Sequence, residues 1–174
     1  RTLNRFVEDG KVNYLGTSTF VPNEWKVAKA NELAAREGYE PFTVSQPRFN
    51  LVDREVEGGY LDTCDHYGIG VCPWSPLGQG FLTGKYTREE VPEETKAGAG
   101  DRFKDNYLTE ANFDVLDELQ AVADEVTATP AQVALAYQTH HPSLTAPIVG
   151  ARTVEQLEEN LQAAEVELTD EQFA

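Results

Sequence analysis

Methionine is absent from all 174 residues, position 1 included, so the chain is expected to be a fragment or a processed product. Cysteine is nearly absent as well. Cys64 and Cys72 lack the C-x-x-C spacing of a redox or zinc site, and both are expected as buried free thiols, Cys64 in a helix and Cys72 in a strand. No apolar run approaches the ~20 residues a membrane span needs, and no signal-peptide pattern opens the chain, which points to a cytoplasmic location. Basic charge is scarce: 14 basic residues, only six of them Lys, face 30 acidic ones, for a net charge of −16. A field of that sign repels nucleic acid and anionic membrane and excludes both as partners. Glu155, Glu158, Glu159, Glu165 and Glu167 recur along predicted helix faces. This is the solvated acidic coat of a halophilic protein, with a merely acidic mesophile protein as the alternative. His66, His140 and His141 have neither nucleophile nor metal spacing and are read as structural or exposed.

What remains is an ordinary composition for a soluble protein, 40% hydrophobic and 25% charged, and a length that suits a single domain over residues 1–174. A βα unit recurs four times along it. Leu3, Phe6 and Val7 give a short helix stopped by Gly10, and Val12–Gly16 reads as a strand. Asn23 is placed to cap a helix to about Arg36, with Trp25, Ala28 and Leu33 turned inward and Gly38 as its stop. Phe42–Gln46 is the second strand, and Val56, Tyr60, Leu61 and Cys64 mark a helix ending at Gly68. Ile69, Val71 and Cys72 form the third strand. A polar stretch from Thr87 to Thr109 has no periodicity, a long helix carries Phe113, Leu116, Leu119 and Val122, and Thr129-Pro130 opens another. Ala146–Gly150 is the fourth strand, with capping boxes at Thr153/Gln156 and Thr169/Gln172. Alternation of this kind means parallel strands with crossover helices. It fits half of a (β/α)₈ barrel better than a doubly wound sheet, because the first βα loop lacks G-x-G-x-x-G.

The groups able to touch a ligand sit at strand C-terminal ends. Ser18 and Thr19 follow the first strand, Gln46 ends the second, and Trp74 and Ser75 end the third. The third strand opens into Pro73-Trp74-Ser75-Pro76-Leu77-Gly78-Gln79-Gly80-Phe81-Leu82-Thr83-Gly84-Lys85-Tyr86, three glycines and a cation behind an aromatic. The fourth strand runs through Gly150 and Ala151 onto a helix start with Arg152 beside it. Free N–H groups, the helix dipole and a guanidinium together make an anion site. A phosphate site, a second cation at Lys85 and a flat ring at Trp74 suit a dinucleotide. Taken singly, Trp74 also reads as a core aromatic, Arg152 as a surface residue, Gln46 as a backbone partner, and Glu159 and Asn160 as solvated helix positions.

The whole chain resembles the C-terminal half of an aldo-keto reductase. The resemblance rests on Gly10–Ser18, Gln46-Pro47-Arg48-Phe49-Asn50-Leu51, the Trp74–Tyr86 loop, Ile148–Arg152 and Gln156-Leu157-Glu158-Glu159-Asn160-Leu161, in that order. It implies the last four strands of an eight-stranded barrel, binding NADP(H) in an extended pose. Ser18 and Gln46 would hold the carboxamide and Trp74 would stack on the nicotinamide. Ser75, Leu77, Gly80 and Lys85 would line the pyrophosphate, with Arg102 closing over it. Gly150 opens the last loop, Arg152 and Gln156 would take the 2′-phosphate, and Glu159 and Asn160 the adenine. Thr19 stands where the family usually has Asn. The family's catalytic Asp, Tyr, Lys and His belong to the first four strands, so those roles are not given to Asp53, Tyr67, Lys85 or His66. The parent is expected to reduce carbonyl compounds, and the 174 residues alone are expected to be inactive. A nucleotide-sensing subunit like the potassium-channel β subunits, or a fragment without function, are the alternatives.

A half barrel leaves strand edges and interior side chains uncovered, and a net charge of −16 adds self-repulsion that molar salt screens to about 3 Å. The chain is therefore expected to self-associate and to be better folded at high salt. Size-exclusion chromatography and circular dichroism at low and molar salt check this. A salt-independent monomer with one cooperative melt contradicts it.

Overall fold

In the computed structural model, which describes residues 1–91 and 101–173, three short parallel strands lie side by side in chain order. They are β1 (Leu15–Thr17), β2 (Phe42–Ser45) and β3 (Gly70–Val71). A short helix, α1 (Thr2–Glu8), precedes them. The crossovers are α2 (Trp25–Glu37) and a 3₁₀ turn at Glu55–Gly58 running into α3 (Tyr60–Tyr67). Gly16 faces Val44 across the sheet, where a Cβ would lie 2.8 Å from the valine Cγ1, so β1 and β2 need glycine there. Both α2 and α3 end on a left-handed residue, Gly38 at φ 66° and Gly68 at φ 63°, as the sequence predicts.

The strands are shorter than their sequence patterns. Val12, Asn13 and Tyr14 lie outside β1, because the Lys11 and Val12 N–H groups donate to the Phe6 carbonyl and close the end of α1 instead. The expected fourth strand, Ala146–Gly150, is an extended segment joined to the continuation of β3 by a single parallel bridge, Trp74 to Ile148. Its neighbours explain why no ladder forms. Val71 gives its N–H to the Thr145 hydroxyl, 3.0 Å, rather than to a main-chain carbonyl, and Pro147 has no N–H to donate. Four parallel segments remain in sequential order, three of them strands.

Helix α2 is rotated from its expected face. Trp25 and Leu33 are exposed, and Val27, Asn31 and Ala34 point inward. Asn31 fixes the rotation: its amide donates to the Phe42 carbonyl at 3.1 Å and accepts the Phe42 N–H at 2.9 Å, as a neighbouring strand would. Asn23 does not cap the helix with its side chain; its carbonyl accepts the Lys26 N–H at 2.9 Å. Within the stretch read as aperiodic, residues 92–100 lie outside the described residues, and Asp101–Tyr107 forms a helix, α4. Phe103 and Tyr107, four apart, are its buried face. Two turns were too short a signal to stand out among polar neighbours.

The core has two parts. One gathers Phe81, Leu82 and Tyr86 with α4, α5 (Glu110–Val126) and α6 (Pro130–His140); Phe81 lies within 6.0 Å of the Tyr86, Tyr107 and Phe113 rings. The other joins Val27, Phe49, Val56, Tyr60, Leu61, Ile69 and Val71 to Tyr137. Helix α6 is buried from Pro130 to Gln138 and serves both. Its start carries a full capping box, Thr129 with Gln132. Cys64 is wholly buried, and burial, with Asp65 beside it, pushes its thiol up to about 11, which leaves it unreactive. Cys72, expected to be buried in β3, lies just past it and is half-buried. Two helices close the chain, α7 (Val154–Gln162) and α8 (Asp170–Phe173). Among the described residues no helix is long and apolar enough to cross a membrane.

His141 ends α6 against Phe49, Tyr137 and Phe173. Its Nδ1 accepts the Ser143 N–H, so the neutral ring carries its proton on Nε2, 3.9 Å from Glu57. Burial pushes its pKa below the ordinary histidine value, with Glu57 opposing. The unfolded chain therefore binds the proton more readily. The stability this residue contributes is full above about pH 6.5 and is lost as the pH falls below that value through the lower pKa of the folded state. Urea midpoints between pH 7.5 and 5.5 should fall for the native chain and fall less for His141→Phe. Equal falls would contradict the assignment.

Candidate functional site

The loops after the strands meet on one rim. The Arg48 N–H donates to the Thr19 hydroxyl, the Trp74 N–H donates to the Pro47 carbonyl at 2.9 Å, and the Ile148 N–H donates to the Pro73 carbonyl at 2.7 Å. The sheet thus continues past its strands through two buried prolines, and Trp74 emerges at its end with its ring partly exposed.

At Trp74 the chain turns sharply. Ser75 takes φ 59° and Gln79 φ 57°, and Gly78 and Gly80 are also left-handed. Such angles cost energy in non-glycine residues, and Asn50 opposes that cost. It is completely buried; its amide donates to the Ser75 carbonyl and to Asp53 Oδ2, each at 3.0 Å, and its own carbonyl accepts the Val52 N–H. Asp53 also accepts from Arg48 and, at 2.9 Å, from the Tyr107 hydroxyl. Burial raises the Tyr107 pKa, and the Asp53 charge adds to the rise. The Ser75 hydroxyl accepts the Gln79 N–H at 3.2 Å, closing the turn.

Beyond this turn lies a cleft of about 900 Å³ between the glycine loop and the start of α7, within the range of small-molecule sites. Trp74, Ser75, Leu77, Gly80 and Lys85 line it from one side, and Gly150 and Arg152, ahead of the helix Val154–Gln162, with Gln156, Glu159 and Asn160 on that helix, from the other. Gly80 stands at φ 97°, and a Cβ there would meet the Lys85 ammonium at 2.9 Å; a Cβ on Gly150 would meet nothing within 4 Å. Thr153 caps α7 by accepting the Gln156 N–H, but the Gln156 carbonyl reaches back to the Arg152 N–H, at 3.0 Å, rather than to Thr153. The expected box is offset by one residue. It leaves the Gln156 NH₂ and the Arg152 guanidinium at the mouth of the helix. The Glu155 carboxylate folds onto its own N–H and the Thr153 hydroxyl, which lowers its pKa. Ser18 and Gln46 are exposed on the same rim, the Ser18 hydroxyl donating to the Gln46 carbonyl at 3.2 Å, but neither lines the cleft. Arg102 lies exposed on α4, also outside it. A smaller cavity of about 210 Å³, lined by Thr19, Val21, Arg48, Asp53, Val56 and Glu55, shares Trp74 with the large one.

Sequence reasoning missed the network that builds the turn. Asn50 lay inside a quoted motif, and Tyr107 inside a stretch without periodicity; only their three-dimensional meeting at Asp53 gives them a role. Asp53, Tyr67 and His66 are engaged elsewhere: Asp53 in this network, the Tyr67 hydroxyl with Glu32 at 3.0 Å, and His66 edge-on to Tyr67.

The donor set fits an anionic dinucleotide. One cleft holds two cations, a helix N-terminus, a glycine floor and an exposed flat ring. The Aldo/keto reductase family model matches residues 1–174. Versiconal hemiacetal acetate reductase of Aspergillus parasiticus is 32% identical over 174 residues, covering 99% of this chain and 50% of its own length. L-glyceraldehyde 3-phosphate reductase of Escherichia coli strain K12 is 36% identical over 162 residues, 90% of this chain and 46% of its own. A probable voltage-gated potassium channel subunit beta of Arabidopsis thaliana is 32% identical over 177 residues, 95% of this chain and 51% of its own. The chain spans about half the length of the curated relatives it matches.

Asn50→Ala should lower stability by about 2 kcal/mol, because it removes a wholly buried amide that donates to a half-buried carbonyl and a half-buried carboxylate together. Urea unfolding checks this. A loss under about 0.5 kcal/mol, the range of an ordinary surface substitution, would contradict the role.

Proposed function

The chain belongs to the aldo/keto reductase family, and on that premise we propose that its rim cleft binds NADP(H). These residues then supply the C-terminal half of a (β/α)₈ barrel, four parallel segments with outer helices, in a protein that reduces aldehydes or ketones in the cytoplasm. The observation that carries the reading is the meeting in one cleft of Arg152 at a capped helix start, Lys85 and the exposed Trp74 ring. A reduced nicotinamide, when bound, supplies a hydride to a carbonyl carbon.

The residues divide the work by chemistry. Arg152 offers a planar fork and Gln156 its NH₂ to a 2′-phosphate, and the N–H groups opening α7 add a positive dipole end. Lys85, with Ser75, Leu77 and Gly80, would serve the pyrophosphate, and Arg102, exposed on α4 outside the cleft, would have to close over it. Gly150 leaves the floor open, while Glu159 and Asn160 offer an acceptor and an amide to the adenine. Trp74 would stack on the nicotinamide, and Ser18 and Gln46, on the same rim but outside the cleft, would take its carboxamide.

Hydride transfer leaves an alkoxide that needs a proton. The side chains nearest in type are committed: Asp53 accepts from Arg48, Asn50 and Tyr107, and the Tyr67 hydroxyl donates to Glu32. The resemblance assigns the family's catalytic Asp, Tyr, Lys and His to the first four strands of the barrel, and on that ground the 174 residues alone are proposed to bind nucleotide without turning over a carbonyl. Similarity to a potassium channel β subunit favours a second reading, a nucleotide sensor built on the same cleft. Val154, Leu157 and Leu161 are exposed on α7, and copies of the half barrel are proposed to associate through its uncovered edges.

Arg152→Ala in the full-length protein should weaken NADPH about 10–100-fold and NADH much less, since only the former carries the phosphate a guanidinium can grip. Titration calorimetry with both nucleotides reads the difference. Equal losses would remove Arg152 from the 2′-phosphate site.

A further inference from the structure

Among the described residues Gln138 is the largest wholly buried amide side chain, 0% exposed near the C-terminal end of α6. Both groups within its reach are carbonyls, that of Pro76 at 3.0 Å and that of Ala134, one turn back, at 3.4 Å. Carbonyls only accept, so the NH₂ must face them and the amide orientation is fixed. Its own carbonyl oxygen, Oε1, then finds no donor among the described residues. Buried polar groups without a partner disfavour folding, so the demands of the core alone favour an apolar residue at this position. Nothing in the packing of α6 calls for an amide.

The Pro76 carbonyl does. Pro76 follows Ser75, and the two successive carbonyls are gripped by two buried amides from different elements, Ser75 by Asn50 and Pro76 by Gln138. Pro76 has no N–H to donate; the Ser75 carbonyl is held also by the Gly78 N–H of the same turn, at 3.0 Å, while the Pro76 carbonyl is held by Gln138 from α6. With both clamped, the peptide planes on either side of Pro76 cannot rotate. The Ser75 side chain and the Trp74 ring are thereby aimed, and Gly80 is set against Lys85.

We propose that Gln138 is a positioning residue for the nucleotide cleft, acting through the Pro76 carbonyl to hold the Trp74–Gly80 turn in its binding shape. The affinity arm of the test rests on the nucleotide reading above; the loop arm does not. Gln138→Met keeps the length and bulk while removing both the donor and the orphaned carbonyl. In the full-length protein without ligand, its thermal midpoint should be unchanged or higher, while hydrogen exchange at the Ser75–Gly80 amides speeds up severalfold. NADPH affinity should fall about three- to tenfold, the loss of one hydrogen bond's worth of preorganisation, while Asn50 and Arg152 are untouched. Unchanged exchange in the turn overturns the proposal. So does a lower midpoint in both Gln138→Met and Gln138→Leu, which would make the amide a structural group only. Faster exchange with no NADPH binding by the native protein either would leave the clamp standing and remove the nucleotide.

Discussion

Asn50 holds the cleft together through one amide. Its NH₂ is shared between a main-chain carbonyl at the tip of the glycine loop and a carboxylate that also accepts from Arg48 and Tyr107. Each partner comes from a different part of the chain: the loop after β2, the loop after β3, and α4. A left-handed Ser75 is unfavourable alone, and it persists because this buried, satisfied network over-determines it. Remove the network and the aromatic, the glycines and Lys85 no longer share one wall.

Charge sets the second constraint. A chain of net charge −16 repels a nucleotide at a distance, so the proposed binding would rest on close contacts that gather the few cations. Lys85 and Arg152 line one cleft although 67 residues separate them in sequence. Elsewhere cations serve the acidic surface: Arg88 alone pairs with Glu110, Asp114 and Asp117 along α5, exposed contacts that contribute little stability each.

Much of this was legible in the sequence. Helix starts and stops were, because caps and glycines act through local geometry: Gly38, Gly68, Thr129 and Thr169 stand where the pattern put them. The two loops that form the cleft were also legible, since glycine, proline and cations cluster there. What failed depended on partners distant in sequence. Trp25 and Leu33 were assigned inward by hydrophobicity, yet a polar residue, Asn31, decides the rotation of α2 by pairing with Phe42. Ala146–Gly150 had strand composition, but a threonine hydroxyl and a proline interrupt its ladder. Asn50, Tyr107 and Gln138 carry no local signature at all, because a buried amide or phenol is defined by what it meets.

Trp74 provides the most direct test of the central claim, that the cleft beside it holds a nicotinamide nucleotide. The sequence has only two tryptophans, so Trp25→Phe leaves Trp74 as the sole reporter. Titration of that variant with NADPH should quench its emission saturably and raise sensitised dihydronicotinamide emission in step. Unaltered Trp74 emission from folded protein at millimolar NADPH would contradict the account.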